Sequence, residues 1–393
     1  MSRLLACWEL GHGHGHLAIL APAARSVAAL GHESWLAAHD VAAPAALPDA
    51  PFARVLPAPV WLRSRATAPT HGFGQILADA GFADDDGLAE LVRAWLALID
   101  LVAPAGLYGE HAPASLLAAH IAGLPAARLG TPFTCPPATR PLPDPMPWLP
   151  AARPERSAAD AVADRVVRSV CRRFGAPLLD GLAALLATAP PLLASWPELG
   201  NQPRTDANWH GPLTGLAAST LPDWPSAPGP RIFVYLGFER PAARPLAEAL
   251  ARRGWPCLWV SEAAPGFPLA PNIRHEAEPL AIRPALAAAT VFVGRAGHGS
   301  SLDALAAGCP QLMLFDTLES EANAHALASR SLGRSLAPGQ RNAVQIGAAL
   351  DALASADAPE RHACAAAAAR HAGYDAAAAA AAFGQELATA LRL

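Results

Sequence analysis

The sequence predicts an α/β protein built from two tandem doubly wound, Rossmann-like domains. Three observations predict it. Apolar runs of strand length alternate with helical stretches along most of the 393 residues. A glycine-rich strand-to-helix turn occurs twice, at residues 11–16 and again at 294–301. A polar stretch at 201–230, punctuated by Pro203, Pro212, Pro222, Pro225, Pro228 and Pro230, divides the two halves. Alternation at these lengths argues for parallel sheets covered by helices on both faces.

Residues 4–8 read as the first strand, and a glycine–histidine loop follows. An alanine-rich helix then runs to Leu30 and stops at Gly31, where a glycine C-cap belongs. The strand at 34–38 comes at the spacing of a parallel crossover. Residues 44–73 are proline-rich and irregular and read as loops over a cleft. Helical periodicity covers 88–99, Asp100-Leu101-Val102 reads as a strand, 115–122 as a helix and 125–129 as a strand. In the second half, strands are expected at 232–236, 257–261, 272–275, 290–293 and 311–315. Helices are expected near 241–253, 282–288 and 301–307. The alanine-rich tail from His362 is helical by propensity. The expected division is an N-terminal domain over 1–200, a linker over 201–230 and a second domain over 231–375. A terminal helix at 376–393 is expected to pack back on the first domain, and ligands of such folds bind at the carboxyl ends of the strands, here in an interdomain cleft.

Composition removes several function classes. The chain is 52% hydrophobic and 16% charged with a formal net charge of −4, so it has no general attraction for nucleic acid. It contains no lysine, which excludes Schiff-base, P-loop and kinase-type lysine chemistry. Together with the heavy alanine use, that points to GC-rich bacterial coding. Six scattered cysteines without a C-x-x-C pair fit neither a disulfide framework nor a zinc site, and a reducing cytoplasm is the expected compartment. Glu9 and the glycine–histidine run cut short the only N-terminal apolar stretch, so neither a signal peptide nor a membrane span is expected.

The segment with the most chemistry is residues 291–310, an apolar strand running through Gly294, Arg295, Ala296, Gly297, His298, Gly299, Ser300 and Ser301 into a helix. Backbone N–H groups of such a turn approach an anion, the helix start adds its positive dipole end, and Arg295 adds a charge suited to diphosphate. Asp303, one turn on, is placed to accept from a ribose diol. The competing reading is a close-packed turn in which serine caps the helix. The block resembles the donor-binding segment of GT-B nucleotide-sugar glycosyltransferases: the UDP-glycosyltransferases, the antibiotic glycosyltransferases and the peptidoglycan GlcNAc transferase. The family's frequent histidine falls on Arg295, as in the peptidoglycan enzymes, and its ribose-holding carboxylate on Asp303. Downstream, Phe315 to Ala324 resembles the sugar-reading stretch, with Glu319 at the acidic position, Ser320 where glutamine is expected, and Asn323 retained. Gly237 matches the loop facing the diphosphate, and residues 277–280 match the loop over the nucleobase.

The resemblance extends to the N-terminus, where Gly15-His16 and Gly31-His32 keep the family's fifteen-residue separation. It implies that His16 is the general base, for which imidazole has a suitable pKa. Two acids compete as its partner, Asp100 and Glu110, and Glu110, in Glu110-His111-Ala112-Pro113, is favoured. His14 and His71 are expected at the acceptor. A metal reading of the histidine repeat lacks supporting cysteines or carboxylates, and Asp84-Asp85-Asp86 reads as a solvated helix start. The spacing of Arg165, Arg168, Arg172 and Arg173 likewise suits one solvated helix face, with peripheral membrane contact as the other use of such a patch.

The implied function is an inverting, metal-independent hexosyltransferase. Its co-substrate would be a UDP- or TDP-linked sugar and its acceptor a small molecule, lipid or glycan, with no other cofactor. The protein would be a monomer or homodimer. The rival readings are a sugar-nucleotide epimerase or hydrolase on the same fold, and a non-catalytic auxiliary protein.

Overall fold

The computed structural model describes every residue except 12, 14, 48, 50, 63–71, 150–152, 201, 214–220 and 279. The chain forms two units, one comprising residues 1–197, 202–216 and 375–393, the other 198–201 and 217–374.

In the first unit the strands are β1 (Arg3–Trp8), β2 (Glu33–Ala38), β3 (Arg54–Pro57), β4 (Gly106–Glu110), β5 (Ala126–Gly130), β6 (Pro191–Leu193) and β7 (Asn208–Trp209). The helices between them are α1 (Leu17–Ala29), α2 (Phe73–Leu77), α3 (Asp85–Val102), α4 (Pro113–Ala122), α5 (Arg153–Arg173) and α6 (Leu182–Ala187). All seven strands run parallel in the order β3-β2-β1-β4-β5-β6-β7. The order reverses between β1 and β4, so the loops leaving these two strands diverge and open a crevice at their carboxyl ends. Two apolar layers sandwich the sheet. Trp95, Phe82, Val92 and Leu117 lie in one, and Leu4, Leu20, Val27 and Leu36 in the other.

The second unit contains β8 (Ile232–Tyr235), α7 (Ala243–Arg253), β9 (Cys257–Val260), β10 (Ile273–Glu276), α8 (Ile282–Ala288), β11 (Val291–Gly294), α9 (His298–Ala306), β12 (Gln311–Met313), α10 (Leu318–Ala328), β13 (Gly333–Ser335), α11 (Ala343–Ala354) and α12 (Pro359–Arg370). Its six parallel strands take the order β10-β9-β8-β11-β12-β13, and the reversal lies between β8 and β11. The last helix, α13 (Ala376–Ala390), belongs to the first unit: Phe383 and Leu387 are fully buried there, and Gly384 packs so closely on Ser26 of α1 that a Cβ would lie 2.6 Å from the Ser26 Cβ.

Three sequence expectations fail, the first at residues 44–73, expected as loops, which contain the strand β3. Residues 100–102 are not a strand but the last turn of α3, and the strand comes later, at β4. The apolar positions Trp95, Ile99 and Val102 continue the helical spacing on the buried face, and Ala103 ends the helix in a left-handed conformation, φ 47°. The stretch expected as linker contains β7, which adds to the edge of the first sheet. Two residues are too few to show a strand period.

Candidate active site

At the crevice of the first unit, β1 ends beside β4, and register places Trp8 next to Glu110. After Trp8 the chain turns back through Gly11 and Gly13, both in the left-handed region at φ 85° and 88°, and enters α1 with His16 as its N-cap. Glycine at 11 is required twice over. Its backbone disfavours a side chain, and a Cβ there would collide with Nε2 of His16 and lie 2.6 Å from its Cε1. The imidazole stacks on Trp8, ring centroids 5.2 Å apart, and its Nδ1–H donates to Oε2 of Glu110 in a very short bond. That bond fixes the tautomer in which Nε2 carries the lone pair.

Glu110 is 1% exposed. Burial alone pushes its carboxyl up, yet the charge and hydrogen bond of His16, the charge of His111 and the Thr134 hydroxyl bring it below its ordinary value. The next residue, His111, is held left-handed at φ 48° and is pulled down to about 4, first by burial and then by His16, against the opposing pull of Glu110. Asp100, the other acid weighed for this role, is exposed on α3.

The sequence did not reveal Glu9. It is 3% exposed and accepts from the N–H of Ala114 at 2.9 Å and from that of Ser115, so it caps the start of α4 from another strand. Leu10 N–H donates to the His111 carbonyl at 3.1 Å. These bonds tie the end of β1 to the turn that carries Glu110 and His111. Burial pushes Glu9 up to about 8 against the pull of those N–H groups. In sequence it reads only as a charge ending a strand.

Gly15 sits in the loop before His16, where an added side chain would meet nothing within 4 Å. His14 and His71 lie outside the described residues. Asp84 caps α3, accepting from Gly87 N–H at 2.9 Å, and Asp86 pairs with Arg173 at 2.5 Å. Arg168 pairs with Asp180 at 2.7 Å. No helix among the described residues is long and apolar enough to cross a membrane.

At the crevice of the second unit, β11 runs through Arg295 and the left-handed Ala296, φ 58°, to Gly297, the N-cap of α9. His298, Gly299, Ser300 and Ser301 form the first turn of that helix. Ser300 Oγ donates to the Gly297 carbonyl at 3.2 Å, whereas the Ser301 hydroxyl is fully buried with no partner among the described residues. The buried Asn323 donates to the Ala296 carbonyl at 3.1 Å and so braces the turn from α10. Gly237 follows β8, where a side chain would meet the Glu239 carboxylate. Glu319 lies in the first turn of α10, and Ser320 is occupied in the capping box of that helix with Thr317. Asp303 accepts from Arg283 of α8 at 3.0 Å; burial pushes it up and Arg283 pulls it back. Within residues 277–280, Pro279 lies outside the described residues.

Three residues that the sequence gave no reason to single out join this cluster. Asp316 pairs with Arg240 at 2.6 Å and with Arg295 at 3.8 Å. Tyr235 is the register partner of Gly294; burial and Glu262 push its hydroxyl up while Arg295 pulls it down. Two arginines and a helix N-terminus thus stand at the carboxyl ends of adjacent strands, groups whose chemistry suits an anion.

No protein-family model matches the sequence, and no curated protein matches it either. Solved structures do. The chain is 19% identical to CalG4, the calicheamicin glycosyltransferase, with a TM-score of 0.72 over 100% of this chain and 98% of that one. It is 17% identical to the glycosyltransferase VinC in complex with DTDP, TM-score 0.71 over 99% of each chain. It is 19% identical to the glycotransferase of kitacinnamycin, TM-score 0.70 over 98% of this chain and 99% of that one. The chain therefore has the GT-B fold.

Proposed function

We propose that the protein is an inverting glycosyltransferase that moves a sugar from a nucleoside diphosphate to an acceptor hydroxyl. The observation that carries this reading is the His16–Glu110 bond at the crevice of the first sheet, in a chain whose fold neighbours are glycosyltransferases. A histidine whose Nδ1–H is held by a buried carboxylate is equipped to take a proton at Nε2, and the carboxylate stabilises the imidazolium that forms. The acceptor oxygen would lose its proton to His16 and bond to the anomeric carbon as the bond from that carbon to the diphosphate oxygen breaks. Arg295, with Arg240 beside it, the Ser300 hydroxyl and the first N–H groups of α9 would receive the charge on the leaving diphosphate. UDP- or TDP-linked sugars are the expected donors, with Asp303 at the ribose and Glu319 at the sugar.

The test is a heat-melting series against nucleoside diphosphates, with Arg295→Ala as control. A nucleotide at about 100 times its Kd stabilises by about 2.7 kcal/mol, a readily measured shift in Tm. Stabilisation of the wild type by one base, lost in the control, supports the donor site. No response to any nucleotide sinks the reading.

A further inference from the structure

The bond to His16 occupies one oxygen of the Glu110 carboxylate, Oε2. The other, Oε1, faces the turn that leaves β5 through Gly130, Thr131, Pro132, Phe133 and Thr134. Register brings that turn there, since Glu110 pairs with Leu129 and Gly130 ends the neighbouring strand. Gly130 supplies the space. A Cβ on it would collide with the Thr134 hydroxyl and lie 3.3 Å from Oε1 of Glu110. With no side chain at 130 the two oxygens meet, and the Thr134 hydroxyl donates to the carboxylate.

The turn aims that hydroxyl. Its oxygen accepts from the Thr131 N–H at 3.0 Å, which leaves its own proton for the carboxylate. Thr131 Oγ1 stands 3.4 Å away but is no competing acceptor. Its lone pairs already take the N–H groups of Phe133 and Thr134, each at 3.2 Å. Thr131 and Thr134 are 5% and 6% exposed, so water does not contest these bonds.

The choice of a hydroxyl has a chemical consequence. A buried carboxyl with a single partner takes up a proton easily, because burial disfavours its charge. Once protonated it would no longer stabilise an imidazolium. An arginine in the place of Thr134 would keep the carboxylate ionised, but its charge would oppose the imidazolium that forms beside it. A neutral donor does the first without the second. Besides His16 from α1, the titratable groups facing the carboxylate are His111, next in the chain, and the Cys135 thiol, next after Thr134. Burial, opposed by Arg128 of β5, pushes that thiol up to about 11, so it is neutral at pH 7.

We propose that Thr134 is a positioning residue: its hydroxyl holds the second oxygen of Glu110, so that the carboxylate meets His16 ionised and in line. The use of that pair as a catalytic base rests on the glycosyl-transfer reading; the hold of Thr134 on Glu110 does not.

The two are separated by titrating the His16 imidazole by NMR in the full chain, without any substrate. Its resonance is assigned by its loss in His16→Asn. Thr134→Val keeps the shape and deletes the donor, so the pair should take up its first proton at higher pH. The midpoint is expected to rise by about one pH unit, the worth of one hydrogen bond to an ionised group, and Thr134→Ser to restore it. An unchanged midpoint in Thr134→Val overturns the proposal. Because that variant leaves the Thr131 N–H without its acceptor and can fail to fold, a crystal structure of the wild type gives a second reading. Thr134 Oγ1 within about 3.0 Å of Glu110 Oε1 supports the bond, and a separation beyond about 3.5 Å overturns it. In turnover, the acid limb of kcat/KM should move up with the midpoint in Thr134→Val, while kcat on the alkaline plateau stays within about twofold. A loss of kcat equal at every pH would make Thr134 merely structural and overturn the proposal. A raised midpoint in a protein that responds to no nucleotide keeps the hold on Glu110 and removes the transfer reading. Sugar transfer with an unmoved midpoint does the reverse.

Discussion

His16 and Glu110 stand 94 residues apart in the chain and share one hydrogen bond, made from the N-cap residue of a helix to the last residue of a strand. Glu110→Gln keeps the shape of this pair but presents an amide that can donate as well as accept, so the imidazole loses its enforced tautomer. Turnover should fall by about 10²–10⁴-fold while the affinity for nucleoside diphosphate stays within about twofold, as it should for His16→Ala. Steady-state kinetics with a matched binding titration check it. Full activity in both variants would remove the pair from the mechanism.

Gly11→Ala should uncouple the base without touching its chemistry. The left-handed backbone costs about 1–2 kcal/mol for a side chain, and the new Cβ occupies the space of the His16 ring. A modest loss of stability in urea is expected together with a large loss of turnover. If turnover is preserved, the ring position seen here is not the working one.

Stability should decline as the solution is made alkaline between pH 6.5 and 8, because of Glu9. Its folded value, about 8, lies above its ordinary value of 4.5, so the folded state holds a proton that the unfolded state has released. His111 acts with the opposite sign at lower pH. Its folded value of about 4 lies below 6.5, so stability is lost as pH falls through that interval, where the two effects oppose each other. Urea midpoints between pH 6.5 and 8 isolate Glu9, and Glu9→Gln should flatten the slope there. An unchanged slope assigns it to another group.

Asp316 occupies the two arginines that a diphosphate would need. Asp316→Asn should tighten nucleoside diphosphate binding by about 1.5- to 5-fold, the worth of a partly exposed ion pair. Weaker binding would instead make Asp316 part of what positions the nucleotide.

Much of this was legible from pattern. Both glycine-rich turns lead from strand to helix where the spacing put them, because such a turn needs small residues in sequence order. Of the two acids weighed as partner for His16, Glu110 stands beside it, since a residue at a strand end next to the first strand has little choice of neighbour. What stayed hidden depends on contacts between distant segments. Glu9 matters because α4 begins beside it, and Asn323 because its amide reaches Ala296. Asp100 differs from expectation for the opposite reason: a local helical period runs three residues further than the expected strand at residues 100–102 allows.

The docking of α13 on α1 also sets an order of events during synthesis. Phe383, Leu387 and Leu391 complete the apolar layer that Leu4, Leu20 and Val27 begin, so that layer draws on segments far apart in the sequence. A ribosome adding roughly 5–20 residues per second needs about 10–40 s to travel from β7 to α13. Throughout that interval α1 waits with an apolar face uncovered, and the first unit closes only once α13 has been made. Deleting the last helix would make that waiting state permanent.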